Sequence, residues 1–242
     1  RQTTALLTYT ENRVTNPIKT SDAHRTPLPC EAITFELTGY TRTGTAGRYQ
    51  ASDFVEPDPA APERLRHKFT APEVTYEATA TGSQRRRPIE WLRTLYRRDN
   101  LTNLLPLGDI QPLALPGESY RLAFTPGLIT QVYKRNGVDL IPAPQQVLPV
   151  DLANSLTANR GGYVDLDNNG HWWIPSGRSL YHSNEVSAAV ELTEAQAHFF
   201  LPRRYRDPFG QNAFIDFDGH DLLLKESRDA PGNRVTVDTN DY

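Results

Sequence analysis

The sequence predicts a mainly β protein, an array of antiparallel strands and hairpins with one or two short helices. Three observations predict this class. Apolar residues recur with a period of two over much of the chain, as Ile33, Phe35 and Leu37 do between polar neighbours. The 242 residues include 15 glycines and 19 prolines, which favours many short elements joined by turns. Segments with a helical period are few.

The strands predicted by this alternation come early in the chain. The run that begins at Ile33 breaks at Gly39, where we expect a strand to give way to a loop. A second alternating run, residues 68–83, contains Val74 and Tyr76 and predicts another strand.

Two proline-rich stretches predict breaks in the array. Residues 55–63, VEPDPAAPE, are expected not to hold a hydrogen-bonded ladder, because proline cannot donate to one. Residues 142–149 mark a second possible break for the same reason.

Two segments predict helices. Thr125 is expected to cap a helix that has Pro126 at its first position and ends near Gly137. A second helix is expected over residues 191–199, with Thr193 as its cap.

The stretch YVDLDNNGHWWIPSG raises the possibility of a calcium loop, with Asp165, Asp167 and Asn169 as candidate ligands. A helix-flanked calcium loop also needs ligands at its ninth and twelfth positions, which are Trp173 and Ser176 here. Because that half of the coordination is missing, no metal site is predicted.

A tight turn between two strands is the expected structure of the same stretch. Residues 168–170, Asn-Asn-Gly, are residue types that accept positive φ angles. The neighbouring His171, Trp172 and Trp173 are the basis of an alternative function, a secreted glycan-binding β module. Since adjacent strand residues point to opposite faces, at least one of the two tryptophans is expected in the core.

The composition of the chain limits the classes of partner and the covalent links that the sequence predicts. The net charge of −3 gives no reason to expect nucleic acid as a partner, and no apolar run is long enough for a membrane span. Cys30 is the single cysteine, so no intrachain disulfide is possible. With no methionine, the chain is interpreted as a piece of a longer polypeptide.

No catalytic residues and no cofactor are predicted. The sequence lacks the patterns of nucleophile elbows, zinc proteases, phosphate loops and Cys-x-x-Cys sites. A glycosidase pair of carboxylates stays open, because sequence spacing cannot place two carboxylates across a cleft. His171, His182 and His198 lie too far apart for a recognised metal spacing.

The basic residues have two interpretations. The run at 84–87, together with Arg93, Arg97 and Arg98, could contact an anionic partner. Exposure to solvent or salt bridges to the 29 acidic residues is the expected alternative, given the acidic net charge.

The carboxyl-terminal part contains a repeated pattern. Asp207-Pro-Phe-Gly210-Gln recurs 22 residues later as Asp229-Ala-Pro-Gly232-Asn, and each copy precedes alternating residues. A period in the twenties, made of a turn and short strands, is typical of β arrays in which each unit packs against its neighbours. The repeat-turn residues are Asp207, Gly210, Asp218, Asp229 and Gly232.

Several blocks resemble a known family. The segment FDGHDL, from Phe217, resembles the tyrosine–aspartate (YD) unit of RHS repeats, and LYRRDNLT, from Leu95, is similar in a more degenerate form. This second similarity favours a strand for RRPIEWLRTLY. Residues 203–242 hold the most recognisable repeats. Four longer blocks are similar to the shell-forming region of the B subunit of insecticidal toxin complexes: residues 25–40, 93–135, 161–178 and 197–211.

The resemblance implies a structural role for the whole of residues 1–242, as a fragment of a cocoon-like RHS-repeat shell. In that family the B and C subunits form a joint shell around a cytotoxic effector chain, which is later released into the translocation channel of the A subunit. The implied partners are therefore the C subunit, the effector and, through the rest of the B subunit, the A-subunit channel. The resemblance implies an exported, extracellular toxin without catalysis or direct membrane insertion in this segment.

Overall fold

The computed structural model describes residues 6–45, 47–67, 72–79, 83–149 and 162–237. These residues form a mainly β protein with two α-helices and short 3₁₀ and π turns, which confirms the predicted class. The elements in chain order are β1 (Leu7–Val14), β2 (Ile18–Lys19), β3 (His24–Arg25), β4 (Pro29–Thr38), β5 (Val55–Asp58), β6 (Ala61–His67), β7 (Arg85–Tyr96), β8 (Pro116–Phe124), β9 (Lys134–Arg135), β10 (Val138–Asp139), α1 (Pro144–Val147), β11 (Trp172–Pro175), β12 (Arg178–Leu180), α2 (Ala188–Ala197), β13 (Arg204–Arg206), β14 (Asn212–Phe217), β15 (Leu224–Arg228) and β16 (Arg234–Thr236).

The chain divides into two compact units. The first contains residues 1–11 and 33–90, and the second contains residues 12–32 and 91–242. The boundaries fall within β1, at the start of the apolar run in β4, and within β7.

The first unit contains a hairpin that the sequence did not predict. Residues 55–63 were expected to lack a ladder, and that prediction is wrong: β5 and β6 pair antiparallel, with Pro57 opposite Leu65. A two-stranded hairpin has only edge strands, so a proline whose missing N–H would face solvent removes no ladder bond. The register shifts between Pro57 and Asp58, which is where such an irregularity is expected.

The strand predicted over residues 68–83 is also wrong where it can be checked. Residues 72–79 contain an isolated bridge, Glu73 with Arg86, and a turn closed by the Ala78 N–H to the Thr75 carbonyl at 3.0 Å. The Ala78 N–H and the Thr75 carbonyl therefore bond to each other within the turn, and not to a neighbouring strand. Residues 68–71 and 80–82 lie outside the described residues.

Gly39 ends β4 as predicted. Its φ is +75°, and a Cβ added there would lie 2.5 Å from the backbone of Ser83 and Gln84. Both the left-handed backbone and the close approach of a neighbouring segment require glycine at this position.

The second unit contains most of the described sheet structure. In this unit β7 pairs antiparallel with β8 through Leu92–Tyr96, and β8 pairs antiparallel with β11. The strand predicted for RRPIEWLRTLY is confirmed as β7.

A five-stranded sheet has the order β12-β13-β14-β15-β16, with every pair antiparallel. Strands β13 to β16, which we call the meander, follow one another directly in the chain and are joined by short turns. Two further two-stranded pairs, β2–β3 and β9–β10, complete the strands described in this unit.

The helix predicted from Thr125 is shorter than expected. The Thr125 hydroxyl accepts from the Leu128 N–H at 3.1 Å, as the predicted cap should, and the π turn ends at Val132. The chain then reverses in the β9–β10 hairpin, because Asn136 and Gly137 both have positive φ, at 53° and 78°. An Asn-Gly pair with this backbone is typical of a two-residue hairpin turn, and it overrides the helical period.

The second predicted helix is confirmed as α2, with a different cap. Ser187 precedes the helix and its hydroxyl accepts from the Val190 N–H, whereas Thr193 lies inside the helix and donates to the Ala189 carbonyl. The helix begins three residues earlier than predicted.

Most of the buried apolar residues described in the second unit belong to three separate clusters. The first contains Ile18, Cys30, Tyr96, Leu105, Ile110 and Ala114; the second contains Leu101, Leu115, Tyr181 and Ala195; the third contains Ile129, Leu148 and Trp172. No helix in the described ranges is long and apolar enough to cross a membrane.

Candidate functional site

The repeat residues lie in turns of one kind. Asp207, Asp218 and Asp229 follow one another at intervals of 11 residues, and each begins the turn between two neighbouring strands of the meander. Because the strands are antiparallel, alternate turns lie at the same end of the sheet. The 22-residue sequence period therefore contains two turns rather than one.

The aspartate side chain closes each turn. In the first, Asp207 Oδ1 accepts from the N–H groups of Phe209 and Gln211, both at 2.8 Å, while the Asp207 N–H donates to the Gln211 carbonyl. In the third, Asp229 accepts from the Asn233 N–H at 2.7 Å and from its side-chain amide at 2.8 Å. These bonds stabilise the ionised carboxylate, and the Asn233 donors lower the pKa of Asp229.

The middle turn is one residue longer. The Asp218 N–H donates to the Leu223 carbonyl, and Asp218 Oδ1 accepts from the N–H groups of Leu222 and Leu223 at 2.8 and 3.2 Å. These backbone donors lower the pKa of Asp218. In all three turns, the aspartate carboxylate accepts hydrogen bonds from backbone N–H groups of the same turn. These N–H groups lie between the strands, where no neighbouring strand supplies an acceptor.

The fourth residue of each turn has a left-handed backbone. This residue is Gly210 at φ 82°, Gly232 at φ 97° and Asp221 at φ 58°. Glycine adopts this conformation without strain, whereas Asp221 adopts it as one of the few other residue types that tolerate it.

Two further turns outside the meander share the pattern. Asp165 accepts from the Asn169 N–H at 3.1 Å and from the Gly170 N–H at 2.9 Å, and its fourth residue, Asn168, has φ 54°. The bridge between Val164 and Trp173 places this turn between two strand-like segments, as predicted for a hairpin.

The other turn begins at Arg98. The Arg98 N–H donates to the Asn103 carbonyl, the Leu101 N–H donates to the Arg98 carbonyl, and Leu101 has φ 60°. The backbone pattern is that of the Asp218 turn, although arginine replaces the aspartate. The segment LYRRDNLT thus contains a turn with this backbone hydrogen-bond pattern.

The candidate calcium ligands do not converge on one point. Asp165 is occupied by backbone N–H groups of its own turn, Asp167 Oδ2 pairs with Arg93 at 2.6 Å, and Asn169 accepts from the His171 N–H at 3.0 Å. Among the described residues no group of three or more His, Cys, Asp or Glu side chains could hold a metal ion.

The tryptophans proposed for sugar binding are both buried. Trp172 is 2% exposed and Trp173 is 0% exposed, so they cannot form an open aromatic face. Trp173 packs edge-on against Trp91 with ring centroids 5.4 Å apart. The Arg93 guanidinium lies 4.9 Å from the Trp91 ring centroid and 4.5 Å from the Trp173 ring centroid.

Four of the basic residues singled out in the sequence form ion pairs. Arg86 pairs with Glu11 and Glu73, Arg87 with Glu36, Arg93 with Glu31, and Arg97 with Glu191. The interpretation as salt bridges is confirmed for these four.

The Arg97–Glu191 pair is the most buried of these ion pairs. Both side chains are 7% exposed, and Glu191 accepts from Arg97 at 2.7 Å and from the Tyr181 N–H at 2.9 Å. Arg97 also donates to the Leu101 carbonyl at 2.7 Å, which ties α2 to the Arg98 turn. Sequence reasoning missed this pair, because no spacing rule connects residues 94 positions apart.

The histidines are dispersed. His171 lies near Trp91, His182 Nδ1 accepts from the Asn184 N–H, and His198 Nδ1 lies 2.6 Å from Asp221.

A cleft of about 400 Å³ is lined by Arg97, Thr102, Asn103, Leu104 and Arg178. Both arginines in it are paired with glutamates, Arg97 with Glu191 and Arg178 with Glu118.

Comparison with solved structures finds a distant likeness. Two crystal structures of TcdB2-TccC3, one without the hypervariable C-terminal region, match 96% of this chain and 10% of the matched chain. The TM-scores are 0.40 and 0.41, at 13% and 14% sequence identity. The chain therefore spans about a tenth of the length of the chains it matches, and similarity at this level transfers no function. No protein-family model matches the chain, and no curated protein matches it.

Proposed function

We propose that the chain is a segment of the wall of a hollow β shell, in the manner of a toxin-complex B subunit. The observation that carries the proposal is the meander, whose turns recur every 11 residues. Among the described residues, its strand β16 lies at the edge of the sheet, with all three of its residues exposed. Strands that pair only with their neighbours and are joined by turns at a regular spacing can extend a sheet in one direction. A sheet that extends in this way can form part of a wall around a cavity.

The distribution of buried residues supports the same role. A compact domain usually has one contiguous apolar core, whereas the described residues of the second unit form three small clusters. A wall one sheet thick buries its apolar residues in local patches where turns and short helices fold over it.

Exposed apolar side chains also support a larger assembly. Phe199, Phe209, Leu222 and Val235 are all more than half exposed. Where exposed apolar side chains form a contiguous patch, that patch is typical of a surface that contacts another chain. In a shell they would contact the next wall segment or an enclosed, unfolded polypeptide.

The proposal assigns partners and a compartment as well. We infer that the wall is shared with a C-like subunit, encloses an effector chain and reaches an A-like channel through other parts of the B-like polypeptide. We infer that the assembly is exported, and we assign no catalytic step and no cofactor to this segment.

Electron microscopy of the parent assembly tests the proposal. The full-length polypeptide that contains this chain would be co-expressed with its C-like partner and imaged. We expect a hollow particle with interior density, in which β13 to β16 form part of the wall. The same complex without the carboxyl-terminal part of the C-like chain should keep the wall and lose the interior density.

A solid particle in which these strands pack into a compact domain would overturn the proposal. Binding of a glycan array by the 242-residue chain would then favour the alternative module. The burial of Trp172 and Trp173 requires such a module to use other residues.

A further inference from the structure

The sequence contains two Asn-Gly pairs, and both lie in turns. Asn136-Gly137 joins β9 to β10, and Asn169-Gly170 lies in the turn that begins at Asp165. Both asparagines are exposed to solvent. Asparagine before glycine can lose its side-chain amide without an enzyme, because glycine has no side chain to keep the next backbone nitrogen away from the asparagine Cγ. The two pairs differ in how the fold holds the groups that react.

This deamidation uses only the groups of the pair and water. The backbone nitrogen of the glycine bonds to Cγ of the asparagine, the bond from Cγ to the side-chain nitrogen breaks, and ammonia leaves with the proton that the glycine nitrogen has lost. Water then opens the resulting succinimide ring at either carbonyl carbon. The products are aspartate and isoaspartate, in which the main chain runs through Cγ and is one methylene longer.

The Asn136 turn leaves the reacting groups unrestrained. Among the described residues, neither the Asn136 side chain nor the Gly137 N–H makes a hydrogen bond. Strands β9 and β10 have two exposed residues each and form a sheet of their own. The ion pair between Lys134 and Asp139 that crosses this hairpin is exposed and contributes little. A hairpin of this size is only marginally stable, so its backbone can rotate to bring the Gly137 nitrogen to the Asn136 Cγ.

The Asn169 turn holds the same groups in hydrogen bonds. The Gly170 N–H donates to Asp165 Oδ2 at 2.9 Å, and the Asn169 side-chain oxygen accepts from the His171 N–H at 3.0 Å. The Asn169 N–H donates to Asp165 Oδ1 at 3.1 Å. An N–H that donates to a carboxylate holds its proton more tightly, so the Gly170 nitrogen can attack only after the turn has opened.

We propose that Asn136 is a site of spontaneous deamidation, whereas the Asp165 carboxylate protects Asn169. The two products have different effects on the β9–β10 hairpin. Aspartate before glycine also suits a two-residue turn, so it preserves the pairing of Arg135 with Val138. Isoaspartate lengthens the loop, and because loop length fixes the register of a hairpin, it separates this pair. The chemistry of Asn136 is independent of the proposed shell.

Peptide mapping by mass spectrometry tests the proposal. The folded 242-residue chain would be incubated in mildly alkaline buffer and then digested at acidic pH, which suppresses deamidation during digestion. We expect Asn136 to convert at least about tenfold faster than Asn169, the factor that corresponds to the net strength of one or two hydrogen bonds. Labelling by an isoaspartyl methyltransferase should detect isoaspartate at position 136. Conversion of Asn136 no faster than that of Asn169 would overturn the proposal.

Unfolding separates the effect of the fold from that of the sequence. In guanidinium chloride the hydrogen bonds of the Asp165 turn are lost, and we expect the two pairs to react at similar rates. If Asn136 stays unmodified in buffer but converts in guanidinium chloride, the folded hairpin protects it and the proposal is wrong.

Two variants assign the rates to their residues. Asp165→Ala should raise the rate at Asn169 in the folded chain and leave the rate at Asn136 unchanged, because the β9–β10 hairpin makes no described bond to Asp165. Asn136→Gln should remove the fast reaction, since glutamine has to close a larger ring. An Asn169 rate that Asp165→Ala leaves at the wild-type value would contradict the protective role of Asp165. If this variant fails to fold, the ratio of the two wild-type rates with and without guanidinium chloride still decides.

Discussion

At the scale of single residues, we expect the buried pair of Arg97 and Glu191 to be sensitive to substitution. We expect Glu191→Gln to lower the free energy of unfolding by about 3 kcal/mol, because it leaves the Arg97 charge buried without its counter-ion. Urea unfolding at pH 7, followed by tryptophan fluorescence, measures the difference.

Glu56→Gln is the matched control for this prediction. Glu56 pairs with Arg66, and the two side chains are 38% and 51% exposed. Exposed ion pairs contribute about 0–1 kcal/mol, so the control should change stability far less. Equal effects of the two substitutions would show that burial of the Arg97–Glu191 pair has no energetic consequence.

At the scale of elements, the left-handed residue of each turn sets the geometry of the meander. A Cβ added at Gly210 would meet no atom within 4 Å, so Gly210→Ala tests the backbone alone. With φ at 82°, we expect this substitution to cost about 1–2 kcal/mol. Gly219→Ala is the matched control, since its Cβ also meets no atom within 4 Å and its φ is not left-handed.

Thermal unfolding of the two variants distinguishes the causes. The Gly219→Ala chain should unfold at or slightly above the wild-type temperature, because alanine reduces the entropy of the unfolded chain. A Gly210→Ala chain as stable as the wild type would mean that the turn does not need its left-handed residue.

The sequence predicts those elements whose residue pattern lies within one short segment of the chain. The alternation in β4 and the Asn-Asn-Gly turn before Trp172 depend on neighbouring residues, and both are present in the structure. Prediction failed at β5 because proline is excluded only from paired strand interiors, and the pairing partner of a segment is not visible in its own sequence.

Side-chain contacts across the chain could not be predicted for the same reason. Repeat spacing identified Asp207 and Asp229, but the His198–Asp221 contact depends on where α2 ends relative to a hairpin 23 residues later. That distance is set by tertiary packing. The similarity of the Asp165 turn to the turns of the meander was also missed, because it lies in the backbone hydrogen bonds and not in the residue spacing.

At the scale of the whole molecule, the proposed wall predicts self-association through an unpaired strand edge. Strand β16 lies at the edge of its sheet in the described part of the chain, and Val235 on it is 66% exposed. Exposed apolar edge strands pair readily with other chains, and lysine on an edge opposes such pairing. We therefore expect the isolated 242-residue chain to associate with increasing concentration, and Val235→Lys to weaken this association by about fivefold or more, the equivalent of about 1 kcal/mol.

Sedimentation velocity over a concentration series measures this association. Val190→Lys is the control, since Val190 is also an exposed valine but lies on the surface of α2, where no strand edge is available. If the edge of β16 is the contact, only the Val235 variant shifts toward the monomer. If both variants associate like the wild type, the edge is not the contact, and the extension of the meander by a further strand loses its support. If both shift equally, a general change in charge accounts for the effect, and the edge has no special role.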